Sequence, residues 1–132
     1  MILVDTNMPT YLVGDDERHK ARTERLLDRA VTNRERLVTD AEVFQEILHR
    51  YKTINRLEAI QPAFDLLHGI VDEIFPIGVS AIESAKTLVL GYRHLSARDA
   101  LHVAVMQEHG VDRIMSFDRG FDAIPGLRRL GE

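Results

Sequence analysis

The chain has 132 residues, 45% of them hydrophobic and 29% charged, with a formal net charge of -4 and no Cys. That suits one domain over residues 1–132 with a real core, and leaves little room for a second. The interspersed charge excludes nucleic-acid binding by a basic surface alone, and the missing thiols exclude disulfides and thiolate sites, which fits a reducing cytoplasm.

Residues 2–4 are continuously apolar, the pattern of a strand covered on both faces, and the run stops on Asp5 with Thr6 and Asn7 behind it. Asp5 breaks the only apolar start, so neither a signal peptide nor a membrane span is expected. A short helix from Met8 or Pro9 follows, with Thr6 or Asn7 as its cap. Beyond a charged connection at 14–18, residues 18–31 carry Ala21, Leu26, Leu27, Ala30 and Val31 at helical spacing. A second strand is expected at 36–39 (RLVT), then a helix over 40–53 with Val43, Ile47 and Tyr51 on its apolar stripe. A helical segment at 57–70, started near Pro62, precedes a strand at 73–77 (EIFPI) that Pro76 keeps short or at an edge. Helices over 79–90 and 97–109 end near Gly91 and Gly110, placed as C-terminal caps, before a last strand at 113–117 (RIMSF). Strands alternating with helices imply right-handed crossovers. The expected fold is an α/β, three-layer α/β/α sandwich with a short, mainly parallel sheet.

In such folds ligands gather at the carboxyl ends of the strands. Asp5 and Asp118 follow the first and last strands, so both project from that rim if the strands are parallel. Singly, each has a plain structural explanation, Asp5 as a cap and Asp118 as a turn former before Gly120, and Asp122 reads as a turn residue. Ser96-Ala97-Arg98-Asp99 is a capping box whose acid can bond back to the Ser96 amide, yet the apolar helix behind it puts Asp99 at the mouth of the core. Thr39 and Glu42 form a second box that accounts for Glu42. Glu46, one turn inside that helix and on the flank of its stripe, pairs with Arg50 in the surface reading. Together, four carboxylates at one rim repel one another unless a cation sits among them, and oxygen ligands favour Mg2+ or Mn2+ over zinc. The chemistry this supports is metal-assisted attack of water on a phosphodiester.

The order Asp5, Glu46 in Val43-Phe44-Gln45-Glu46-Ile47-Leu48, Asp99 in Ser96-Ala97-Arg98-Asp99-Ala100-Leu101-His102, and Asp118 in Ser116-Phe117-Asp118 resembles PIN-domain ribonucleases. In particular it is similar to the VapC toxins of VapBC toxin-antitoxin modules, over essentially the whole chain. The resemblance implies an acidic pocket binding Mg2+ or Mn2+, endonucleolytic cleavage of RNA, a homodimer, and inhibition by a cognate VapB-type antitoxin. By motif matching, Asp5, Glu46, Asp99 and Asp118 are the acidic set, with Asn7 and Ser116 as small polar residues orienting it. Arg98 and Arg119 are candidates to meet the RNA, and His102 reads as a packed histidine. Met8-Pro9 departs from the plain aliphatics of the family. Apolar surface around Tyr11, Leu12 and Leu26 is the expected antitoxin contact.

Other readings share the fold class. A receiver domain needs an acid pair at the first strand, an acceptor Asp after the third and a Lys near the last, none of which is present. A haloacid-dehalogenase-like phosphatase needs D-x-D where Asp5-Thr6-Asn7 stands. A catalytically silent RNA- or protein-binding domain, and an RNA-processing nuclease outside a toxin-antitoxin module, remain as alternatives.

Overall fold

The first strand, β1 (Ile2–Val4), sends Ile2 and Val4 to one face of the sheet and Leu3 to the other, and all three are buried. The computed structural model describes residues 1–131. Four further strands complete the sheet: β2 (Leu37–Asp40), β3 (Glu73–Phe75), β4 (Arg113–Met115) and β5 (Arg128–Leu130). The spatial order is β3-β2-β1-β4-β5, and every neighbouring pair is parallel. Pro76 does end the third strand at Phe75, and that strand lies at an edge.

Among the described residues six helices cover the sheet: α1 (Asn7–Val13), α2 (Glu17–Thr32), α3 (Ala41–Thr53), α4 (Ile60–Ile70), α5 (Val79–Gly91) and α6 (Ala97–Glu108). Ile2, Val4, Leu37 and Met115 pack against α1 to α4, while Leu3, Val38 and Ile114 pack against α5, α6, Phe121 and Ile124. This is the expected sandwich. Its two cores differ because right-handed crossovers lay the helices on opposite faces when the chain reverses its direction across the sheet.

Several local expectations change. The strand at 128–130 was not anticipated, because Arg128-Arg129-Leu130 carries no apolar run; pairing with β4 and the Arg129 contacts hold it instead. Thr39 does not cap α3. Its hydroxyl donates to the Val4 carbonyl at 2.9 Å, and Asp40 caps the helix by accepting from the Val43 amide at 3.1 Å. Neither Thr6 nor Asn7 caps α1 through its side chain. Gly91 lies inside α5, whereas Gly110 follows the end of α6 at φ 68°, the left-handed conformation that stops a helix. A one-turn 3-10 helix (Leu57–Ala59) precedes α4, and Pro62 falls in the first turn of α4. Tyr11, Leu12 and Leu26 are half-buried rather than exposed, with Tyr11 stacked on His19 at 4.4 Å between ring centroids.

Candidate active site

Strand order reverses between β1 and β4, and at such a switch point the two following connections diverge and open a crevice. Asp5 leaves β1 there. Its Oδ1 accepts from the Thr6 amide at 2.7 Å, and its Oδ2 accepts from the Ser116 hydroxyl at 2.6 Å. Ser116, fully buried just beyond β4, also accepts from the Asp118 amide at 3.0 Å and from Asn7 Nδ2 at 3.3 Å. One hydroxyl therefore joins the ends of β1 and β4. Burial pushes the Asp5 carboxyl above its ordinary range, a push partly countered by His102 and by the Ser116 bond.

Glu46 comes to the same place from α3. It is 8% exposed, so the surface pairing with Arg50 is not what it does. Its Oε2 accepts from the Thr6 hydroxyl, and its Oε1 lies 2.9 Å from His102 Nε2. The other ring nitrogen, Nδ1, lies 2.7 Å from Asp40 Oδ2. Burial alone would lower the His102 pKa, but the Asp40 charge and the bonds to Asp40 and Glu46 carry it well above the ordinary value. Both ring nitrogens of His102 thus face carboxylate oxygens, a setting that favours the protonated ring. For Glu46, burial opposes the charged form, yet the bond and charge of His102 win and hold its carboxyl low.

Asp40 is the site residue that the sequence reading missed. The available signal was the spacing of Asp99 and His102, three residues apart and hence on one face of α6, which aims the ring at the acids rather than into plain core. A buried imidazole there needs partners on both nitrogens.

Asp99 and Asp118 complete the set. The Ser96 hydroxyl caps α6 by accepting from the Asp99 amide at 3.1 Å, while the Asp99 carboxyl faces that of Asp118 across the cleft. Asp118 Oδ1 also accepts from the Gly120 amide at 2.8 Å. Burial, the facing Asp118 carboxyl and the nearby Asp5 charge push the Asp99 pKa up to about 8. A cleft of about 340 Å3 gathers Asp5, Glu46, Asp99 and Asp118 with Asn7, and Arg50, His94 and Arg98 also line it. Arg119 is exposed at the start of a 3-10 helix (Arg119–Ala123), and it does not line the cleft. Asp122 turns away to a two-point pair with Arg129, at 2.9 and 3.2 Å.

The donor set suits a hard divalent cation. Oxygens of Asp5 and Glu46 and a nitrogen of His102 lie within 4.8 Å of one another. Because both nitrogens of His102 are engaged, the ligands available are carboxylates, with Asn7 Oδ1 as a buried oxygen that has no partner of its own. The raised Asp99 marks the same crowding, which a cation would relieve.

A profile of the PIN domain matches residues 2–127. The chain belongs to the PIN-domain family, and to the VapC group within it. It is 59% identical over 130 residues to Ribonuclease VapC13 of Mycobacterium tuberculosis, covering 98% of this chain and 99% of that protein. Ribonuclease VapC23 of the same species is 37% identical over 118 residues, 89% of this chain and 93% of the relative. Among solved structures, M. tuberculosis VapC20, described as a sarcin-ricin loop cleaving toxin, superposes with a TM-score of 0.75 at 21% identity, over 93% of this chain and 94% of that one. VapBC2 from Rickettsia felis, bound to a promoter DNA fragment, gives 0.74 at 16% identity over 98% of both chains. At those identities the structures establish the fold.

Proposed function

We propose that this chain is a Mg2+- or Mn2+-dependent endoribonuclease, the toxin of a type II toxin-antitoxin pair. The observation that carries this reading is the convergence of Asp5, Glu46, Asp99 and Asp118 on one cleft at the switch point of the sheet. A divalent cation held by these carboxylates supplies Lewis-acid polarisation of a phosphodiester oxygen and charge for the developing oxyanion.

The remaining work falls to the chain. Ser116, itself held by Asn7, fixes the side chain of Asp5, and His102, itself anchored by Asp40, fixes Glu46. His102 cannot be the general base, since neither nitrogen is free to take a proton from water. Arg98 and Arg50 at the rim are placed to meet the phosphate charge of the RNA, and Arg119 lies further out. In the hydrolysis, a water oxygen bonds to phosphorus as the bond to the leaving ribose oxygen breaks. The proton released by water passes to a carboxylate or to solvent, and the departing ribose oxygen takes one up from solvent to leave as a hydroxyl.

Two partners belong to the same reading. A second copy of the chain is supported by an apolar face on α5, where Ile82 is 51% and Leu90 81% exposed, flanking a groove that Ala85, Val89 and Leu101 also line. Arg98 and Glu42 border that groove, so the dimer face adjoins the cleft. A VapB-type antitoxin is supported by kinship with the VapC group, and the test is whether a small reading frame beside the gene exists and its product co-purifies with this chain on co-expression. Among the described residues no helix is long and apolar enough to cross a membrane, and a cytoplasmic location is part of the proposal. Incubation of labelled RNA with wild-type and Asp5→Asn protein tests the activity. Loss of internal cuts in the variant, with the fold retained, supports the assignment, and equal cleavage by both refutes it.

A further inference from the structure

Net charge hides a strongly basic groove on the side of the molecule. At about 100° per residue, Arg22, Arg25 and Arg29 fall within a sector of α2 about 60° wide, while Glu17, Glu24 and Asp28 occupy the neighbouring flank. Opposite them β5 contributes Arg128 and Arg129, and Phe117 closes the upper end of a groove of about 310 Å3. Arg129 is committed internally, to Asp122 and to the Ser116 carbonyl. Among the described residues Arg22, Arg25, Arg29 and Arg128 make no ion pair, although 21 acidic residues are available in the chain. Four unpaired guanidinium groups along one groove repel one another, and a polyanion relieves that repulsion.

The groove and the acidic cleft share no lining residue, but Phe117 of the groove directly precedes Asp118 of the cleft in the chain. Phe117 stands between Ser116 and Asp118, with the Arg22 guanidinium 4.8 Å above its ring and Tyr11 edge-on at 5.6 Å. An aromatic ledge leading into a basic track is the arrangement that holds single-stranded nucleic acid, by stacking and by phosphate contacts. From Arg22 to Arg29 the helix rises about 10 Å, enough for about two phosphates. We infer that the groove between α2 and β5 carries the RNA strand leaving the acidic cleft, with Arg25, Arg29 and Arg128 on its phosphates and Phe117 at the turn. This rests on the ribonuclease reading above.

The test compares wild type with the triple variant Arg25→Gln, Arg29→Gln, Arg128→Gln, by fluorescence polarisation of a labelled oligouridylate in EDTA over a range of salt. The expected result is an affinity roughly tenfold weaker and a log-log salt slope shallower by about 2, or about 0.7 for each of the three lost phosphate contacts on a single strand. Circular dichroism melting checks that the variant is folded, and a triple Arg→Lys variant, which keeps the charges, is expected to recover the slope. Equal affinity and slope in wild type and the Gln variant overturn the groove while wild-type cleavage with Mn2+ leaves the ribonuclease reading standing. A wild type that neither binds nor cleaves RNA overturns both. If the Gln variant binds RNA normally but no longer retains a co-expressed antitoxin, the groove belongs to an acidic protein segment and the inference fails.

Discussion

His102 Nδ1 lies 2.7 Å from Asp40 Oδ2, and both side chains are sealed from solvent. The pair links α6 to the end of β2. Through its other nitrogen the same ring reaches Glu46 at 2.9 Å, so a buried cation of the protein's own lies behind the acids that face the cleft. It offsets part of their repulsion and sets their orientation.

Replacing that ring isolates two buried carboxylates. His102→Gln is expected to lower stability by about 3–5 kcal/mol, the usual cost of removing one partner from a buried ion pair. Thermal or urea denaturation measures it, and a variant as stable as wild type would show that the ring carries no charge. Asp40→Asn keeps a cap for α3 and should cost less.

The pH dependence of the metal-free protein follows from two groups. Asp99 is raised to about 8 from an ordinary 3.8, so the folded state holds a proton that the unfolded chain gives up, and stability falls as pH rises across that interval. His102 is raised above 6.5, so its contribution is complete below that value and lost as pH climbs through the folded one. Both signs agree. The melting midpoint of the metal-free protein should drop steadily from pH 6.5 to 8. Divalent-ion binding at neutral pH should release a proton, seen by calorimetry in buffers of different ionisation enthalpy, and the release should fade above about 8.

Ser116→Ala removes the donor to Asp5 and the acceptor for the Asp118 amide together. The expected effect is a loss of roughly 10–100-fold in metal affinity or turnover, as for other groups that orient metal ligands. Ser116→Thr, which restores a hydroxyl, should recover part of it. A metal titration of RNA cleavage separates the two effects, and an unchanged Ser116→Ala enzyme would remove this hydroxyl from the site.

The exposed face of α5 gives a separate expectation. Leu90→Asp places a charge on an 81% exposed apolar residue, so a monomer keeps its fold while a dimer through this face dissociates. Light scattering after gel filtration distinguishes a halved mass from an unchanged one, and no change rules out this face.

The sequence was informative where local chemistry and tertiary role coincide. Ile2 to Val4 are apolar because both faces of β1 are covered, and Asp5 ends that run at the rim where it stands. Ser96 caps α6 as its spacing indicated. Residues with two competing uses were harder. Thr39 has the form of a cap, yet it sits inside β2 and donates across to β1. Asp40 takes the cap with one oxygen and His102 with the other, a link spanning 62 positions that no local pattern carries. β5 depends on Arg129, whose guanidinium reaches Asp122 and the Ser116 carbonyl, and on Gly131, at φ 142°, where a Cβ would collide with that same carbonyl oxygen.

The most direct measurement is cleavage of an end-labelled RNA by protein stripped with EDTA, before and after Mg2+ or Mn2+ is restored, with Asp99→Asn alongside. Internal fragments that appear only on adding the ion, and only with the wild-type chain, are the predicted result. Cleavage that persists in EDTA, or that Asp99→Asn performs equally well, would contradict a carboxylate-held metal at this cleft.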